Sequence, residues 1–131
     1  MELKSFEHVL IIAEDVEATK EFYVDIVGLV VGKRPDFSFP GYWLYLGDTP
    51  CVHLASSERA GRRVGGRRTE DEGGTGAIDH VAFNATGIGA ARDRFDAAGV
   101  DYEHRLVPGA PLQQLFLTDP NGVKIEINFP V

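Results

Sequence analysis

The sequence has one cysteine, one tryptophan and no long apolar run. A lone cysteine, Cys51, cannot form an intrachain disulfide, which favours a reducing compartment such as the cytoplasm. No motif places a base beside Cys51, so its role as a nucleophile has little support. No stretch approaches the roughly 18 apolar residues of a membrane span, and the N-terminal MELKSFEHVL lacks the pattern of a secretory signal. We therefore expect a cytoplasmic protein.

Positive charge is also scarce. The 131 residues include 13 basic and 20 acidic side chains, for a net charge of −7. Nucleic acids and anionic membranes bind clustered positive charge, so neither is an expected partner, and a small-molecule substrate is. The length, with 44% hydrophobic and 25% charged residues, is typical of a single globular domain.

One pattern occurs twice along the chain. In the first half, a strand FEHVLIIA precedes a helix EDVEATKEFYVDIVG, for which Asp15 is the predicted N-cap and Gly28 the predicted end. Three strands then follow: LVVGKRP, YWLYLGD and CVHLAS. In the second half, the strand is IDHVAFNA, the helix is GIGAARDRFDAAG, and the last strands are VDYEHRLV, QQLFLTD and VKIEINF. Each module, 1–57 and 78–131, is thus predicted to be one strand, one helix and three strands.

The segment between these modules has a different composition. Residues 58–77 contain five arginines, many glycines and almost no large apolar side chains. This composition predicts a solvated connecting arm. The alternative is that the arginines capture a carboxylate or phosphate of a substrate.

Aligning the two halves brings four chemically reactive side chains to matching positions. His8 falls on His80, near the middle of each first strand, and His53 falls opposite Glu126 in the final strands. Since side chains alternate along a strand, Glu126 faces away from the apolar residues on either side of it. We expect these side chains on the concave face of a curved sheet.

Three imidazoles and one carboxylate form a mixed nitrogen and oxygen donor set. Such a set suits one divalent transition metal, such as Fe, Ni, Co, Zn or Mn, better than Ca or Mg. Taken singly, Glu126 could be an edge-strand acid and His53 a packed imidazole. Their repetition at matched positions favours a metal site.

Several motifs carry a family resemblance that spans nearly the whole chain: EHV, FYVDIVGL, HLAS, DHVAF and FLTDPNGVKIEI. Together with the repeated halves, they resemble the vicinal oxygen chelate superfamily, which includes glyoxalase I, extradiol dioxygenases, methylmalonyl-CoA epimerase, fosfomycin-modifying enzymes and bleomycin-resistance proteins. The resemblance implies an α+β fold in which two paired βαβββ modules form an open, cupped mixed β-barrel with helices outside. It also implies a homodimer, as in many relatives.

The resemblance assigns roles to the four residues. His8 and His80 match the first-strand metal ligands, and Glu126 matches the last-strand carboxylate. His53 matches a fourth ligand in glyoxalase I and the epimerase, or an acid/base residue beside the metal in extradiol dioxygenases. Glu126 and His53 are therefore the predicted catalytic residues.

Two reaction classes remain open. Four ligands leave two coordination sites, enough for a lyase or isomerase in which Glu126 moves a proton next to a carbonyl. Three ligands leave room for a catecholate and O₂. Phe116 stands where extradiol enzymes carry a tyrosine, and Ile12 where glutathione-using glyoxalases carry an arginine. We favour glyoxalase-like or epimerase-like chemistry on a small dicarbonyl or hydroxycarbonyl; catechol-ring cleavage is the alternative, and drug sequestration the third.

Aromatic residues are concentrated just before and within the third strand. Phe37, Phe39, Trp43 and Tyr45 are the candidate contacts for an apolar or aromatic substrate, with core packing as the alternative. His104 has no counterpart in the other half, so we expect it on the surface.

Overall fold

A computed structural model of the chain describes residues 1–57 and 75–131. The chain divides into two compact units, Met1–Arg67 and Arg68–Val131. The five arginines of the predicted arm lie outside the described residues, so the role of the arm stays a prediction. The same is true of the expectation that both modules belong to a single domain.

The first unit contains a four-stranded mixed sheet with one helix. Its elements are β1 (Val9–Ala13), α1 (Val16–Glu21) continuing as a π-helical segment (Phe22–Val27), β2 (Val30–Gly32), β3 (Gly41–Leu46) and β4 (Thr49–Ser56). The strand order is β1-β4-β3-β2. Strand β1 runs parallel to β4, and the other neighbours are antiparallel.

The second unit repeats this topology. Its elements are β5 (His80–Asn84), α2 (Ile88–Ala97), β6 (Glu103–Leu106), β7 (Leu112–Thr118) and β8 (Lys124–Pro130). The strand order is β5-β8-β7-β6, with β5 parallel to β8. The predicted α+β class with two βαβββ modules is therefore confirmed.

The first helix begins and ends where the sequence predicts. The Asp15 carboxylate accepts a hydrogen bond from the Ala18 backbone N–H at 2.9 Å, and Gly28 ends the helix with φ of 101°. The π-helical segment was not predicted, because its apolar spacing resembles that of an α-helix. In this segment the Gly28 N–H donates to the Tyr23 carbonyl, five residues back.

The last strand of each module contributes apolar side chains to the core. In β8 the buried residues are Ile125, Ile127 and Phe129. In β4, Val52 and Leu54 are each 1% exposed. Burial thus alternates along β8, as period-two patterning predicts. In β4, by contrast, every residue from Val52 to Ser56 is buried, so both faces of that strand are covered.

The first strands start later than expected. His8 precedes β1, and His80 is the first residue of β5, so neither lies in the middle of its strand. The cause is pairing: the parallel ladders begin at the pairs Val9–Val52 and His80–Lys124. Both histidines consequently lie at the same end of their modules' parallel ladders.

Among the helices of the described ranges, none has the length and apolar character needed to cross a bilayer.

Burial predicts how two chemically identical substitutions should differ. Leu115 in β7 is 0% exposed, whereas Leu106 in β6 is 68% exposed. We expect Leu115→Ala to lower the free energy of unfolding by about 2–5 kcal/mol, because it removes packed atoms and leaves a cavity. Leu106→Ala should change it by no more than about 0.5 kcal/mol. Urea unfolding measures both, and equal losses would contradict the assigned core.

Candidate metal centre

In the second unit, an imidazole and a carboxylate lie side by side. His80 Nε2 is 3.1 Å from Glu126 Oε2, and the Glu126 side chain is 12% exposed. The other ring nitrogen, His80 Nδ1, is 2.8 Å from Asp79 Oδ2. Hydrogen bonding to His80, followed by the interaction with Lys124, lowers the pKa of Asp79. An ionised Asp79 thus holds the Nδ1 proton and leaves Nε2 to face Glu126.

The second oxygen of Glu126 is also held. Glu126 Oε1 accepts hydrogen bonds from Gln114 Nε2 at 3.1 Å and from Asn128 Nδ2 at 2.8 Å. Each oxygen of this carboxylate therefore has its own neighbours.

In the first unit, two aromatic rings stack on the imidazole of His53. Its ring centroid is 3.8 Å from that of His8 and 4.0 Å from that of Trp43, with interplanar angles of 12° and 11°. Since β4 lies between β1 and β3 in the sheet, the two rings flank His53 from opposite sides. His8 Nδ1 lies 2.9 Å from Glu7 Oε1, which repeats the pairing of His80 with Asp79.

His53 carries a buried nitrogen without a hydrogen-bond partner among the described residues. The residue is 9% exposed, and the unpartnered atom is Nε2. Burial, followed by the proximity of His8, lowers the pKa of His53. A neutral imidazole with a free lone pair results, and such a nitrogen is suited to bind a metal or accept a proton.

The donor chemistry fits a divalent transition metal. Within neither unit do three or more His, Cys, Asp or Glu residues of the described ranges form a metal-binding group. Each unit instead supplies a pair: two imidazoles in the first, an imidazole and a carboxylate in the second. His80 Nε2 and Glu126 Oε2 are 3.1 Å apart, close enough that one ion could be bound by both donor atoms. The four-residue ligand set stays a prediction.

The predicted substrate residues divide into three environments, and the first is the stack of Trp43 on His53. Phe37 and Phe39 stack at 5.1 Å, and the Arg34 guanidinium lies 5.0 Å from each ring. Tyr45, in contrast, donates its hydroxyl to the Lys33 carbonyl at 2.6 Å. The bond ties Tyr45 to the end of β2.

Two other reactive residues have ordinary surroundings. His104 is exposed, and its Nε2 lies 2.9 Å from Gln113 Oε1, which confirms the predicted surface position. Cys51 is half-buried, and burial raises the pKa of its thiol. A thiol that ionises less readily is a poorer nucleophile.

Sequence reasoning missed four supporting residues. Glu7 and Asp79 each directly precede a histidine, and this acid–histidine pair was the available signal. Asn128 is two residues after Glu126 on the same strand face, and Gln114 is its cross-strand partner. The position of Gln114 depends on register, which the sequence pattern left undefined.

The pKa of His53 predicts a pH dependence of stability. In the unfolded chain His53 protonates near its ordinary pKa of about 6.5, but in the folded protein it protonates only at lower pH. Between the folded and unfolded pKa of His53, the unfolded state therefore binds more protons than the folded state. For metal-free protein, this contribution to the free energy of unfolding is complete above about pH 6.5 and declines as the pH falls toward the folded pKa. Urea unfolding from pH 7.5 to 5 should show a smaller decline for His53→Phe, and parallel curves would contradict the assignment.

Comparison with known proteins agrees with this architecture. The model of the Glyoxalase/Bleomycin resistance protein/Dioxygenase superfamily matches residues 5–127. The chain is similar to glyoxylase I 4 from Arabidopsis thaliana, with 27% identity over 133 residues, 97% of this chain and 71% of the relative. It is also similar to a lactoylglutathione lyase from Pseudomonas putida, with 24% identity over 149 residues, 95% of this chain and 84% of the relative. A fosfomycin resistance protein from Listeria monocytogenes shares the fold, with a TM-score of 0.71, 14% identity and coverage of 99% and 96% of the two chains. The chain therefore belongs to the glyoxalase/bleomycin resistance protein/dioxygenase superfamily.

Proposed function

We propose that this protein is a metal-dependent lyase or isomerase that acts on a small dicarbonyl or hydroxycarbonyl compound. The observation that carries the proposal is the pair of His80 Nε2 and Glu126 Oε2, 3.1 Å apart, with the opposite ring nitrogen bound to Asp79. Ligand histidines commonly donate their second N–H to a carboxylate in this way. Relatives named glyoxylase I and lactoylglutathione lyase support the same reaction class.

In this proposal, His8, His53, His80 and Glu126 hold one divalent transition metal. When bound, the ion supplies Lewis-acid polarisation of two adjacent substrate oxygens. Glu7 and Asp79 orient their neighbouring imidazoles by holding the Nδ1 atoms. His53 contributes a neutral nitrogen that binds without first losing a proton at neutral pH.

Glu126 is the proposed proton carrier. Its side chain is mostly buried, and its Oε2 is the oxygen not engaged by the amides of Gln114 and Asn128. This oxygen takes a proton from the carbon beside the substrate carbonyl and returns it to the neighbouring carbon, while the hydroxyl proton passes from one substrate oxygen to the other. The substrate therefore isomerises without net gain or loss of atoms. Partial burial strengthens the interaction because little water competes for the carboxylate.

Apolar parts of the substrate are proposed to contact Trp43, Tyr45, Phe37 and Phe39. Trp43 stacks on His53, so a molecule near that imidazole also meets the indole ring. Phe37 is 43% exposed and offers an open aromatic surface. We further propose a homodimer that acts in the cytoplasm.

Cleavage of a catechol ring is less well supported. In the β7–β8 ladder, Phe116 is paired with Glu126 and brings no hydroxyl to that position. A drug-sequestering protein would use the aromatic surfaces but would not need the oriented His80–Glu126 pair.

Exchange of a substrate proton tests the proposal directly. Protein reconstituted with Zn(II), Ni(II) or Co(II) is incubated in D₂O with dihydroxyacetone or with the glutathione adduct of methylglyoxal. We expect proton NMR to show catalysed loss of the signal beside the carbonyl. Glu126→Gln should slow this exchange by about 10²- to 10⁴-fold, since it removes the base. His104→Gln is the matched control and should exchange at the wild-type rate.

Two other results would contradict this assignment. The first is that Fe(II)-loaded protein consumes oxygen and forms a yellow ring-fission product from a catechol, but does not catalyse proton exchange in either carbonyl substrate. This result would assign the dioxygenase reaction. A protein that takes up no metal but binds a drug tightly would be a sequestering protein.

A further inference from the structure

We infer that Gln114 and Asn128 are positioning residues that fix Glu126, so that one carboxylate oxygen is always presented toward His80. The inference rests on the proposed function, since it assigns the orientation of a proposed ligand and base. It adds two residues that act through Glu126 and do not themselves contact the substrate.

Strand pairing places the three side chains on one face of the second sheet. Glu126 and Asn128 are two residues apart on β8, so their side chains point the same way. Gln114 of β7 is the register partner of Asn128. All three side chains are only partly exposed, which limits competition from water for their hydrogen bonds.

The hydrogen bonds among them form a closed set. Gln114 Nε2 donates to Glu126 Oε1 at 3.1 Å and to Asn128 Oδ1 at 3.0 Å. Asn128 Nδ2 donates to the same Glu126 Oε1 at 2.8 Å. A flipped Asn128 amide would put its NH₂ group against that of Gln114, so each amide fixes the orientation of the other.

The consequence for Glu126 is that its two oxygens are not equivalent. Oε1 accepts two N–H donors, whereas Oε2 lies 3.1 Å from His80 Nε2. Rotation of the carboxylate would break both amide hydrogen bonds. Because the amides are neutral, they hold the carboxylate without an opposing charge that would weaken it as a donor to a cation. Oε2 is therefore the oxygen left to bind the metal or carry the proton.

The test measures metal affinity rather than turnover. Zn(II) is titrated into purified protein in competition with a chromophoric chelator, and thermal unfolding checks that each variant is folded. We expect Gln114→Met and Asn128→Leu each to weaken Zn(II) binding by about 10- to 100-fold, the range found when supporting residues of metal ligands are removed. The two variants remove different donors to one oxygen, so either one alone suffices if the other fails to fold.

The matched control is Gln113→Met, which alters the neighbouring residue of β7. Gln113 binds His104 and not Glu126, so we expect wild-type affinity. A double-mutant cycle separates positioning from a general structural effect. If Gln114 acts through Glu126, Gln114→Met should cause little further loss in a Glu126→Gln background.

The inference would be overturned if the folded Gln114 and Asn128 variants bound Zn(II) as tightly as the wild-type protein. It would also be overturned if Gln114→Met weakened Zn(II) binding equally in the wild-type and Glu126→Gln proteins. Either result would leave the proposed function intact. A wild-type protein that binds no stoichiometric Zn(II), Ni(II) or Co(II) would instead overturn the proposed function, and the inference with it.

Discussion

The alternation of side chains along β8 is the constraint on which the rest of the structure depends. Ile125, Ile127 and Phe129 bury one face of β8, with exposures of 1%, 5% and 4%. Burial of each such side chain contributes about 1.5–3 kcal/mol to the free energy of unfolding, whereas an exposed ion pair contributes about 0–1 kcal/mol. Core packing therefore sets the register, and Glu126 takes the opposite face as a consequence. A slip of one residue would exchange the two faces and bury the carboxylate.

Parallel pairing of the first and last strands then places a histidine beside Glu126 in one module and beside His53 in the other. In the second module it brings His80 beside Glu126, and in the first it brings His8 beside His53. The two modules use one topology but hold their functional side chains differently. Burial, followed by the proximity of His8, lowers the pKa of His53, whereas amide hydrogen bonds from Gln114 and Asn128 orient the Glu126 carboxylate. Repetition of a fold thus produces two donor pairs of different chemistry.

The sequence predicted the repeated topology because its signals are local. Strand alternation, the Asp15 cap and the Gly28 stop each depend on a few neighbouring residues, and all three are present in the structure. The four proposed ligands were found from the repeat, and their supporting residues were not. Gln114 and Asn128 meet only through the pairing register of β7 and β8, which is set by packing along the whole strand. The π-helical segment was missed because its apolar spacing does not differ from that of an α-helix.

The X-ray absorption spectrum of protein loaded with one equivalent of Zn(II) tests the proposed metal site. It counts the imidazole and oxygen ligands of the bound ion. From the proposed ligand set we expect three imidazoles, those of His8, His53 and His80, and one carboxylate oxygen from Glu126, at about 2.0–2.2 Å. A spectrum with fewer than three imidazoles would contradict it.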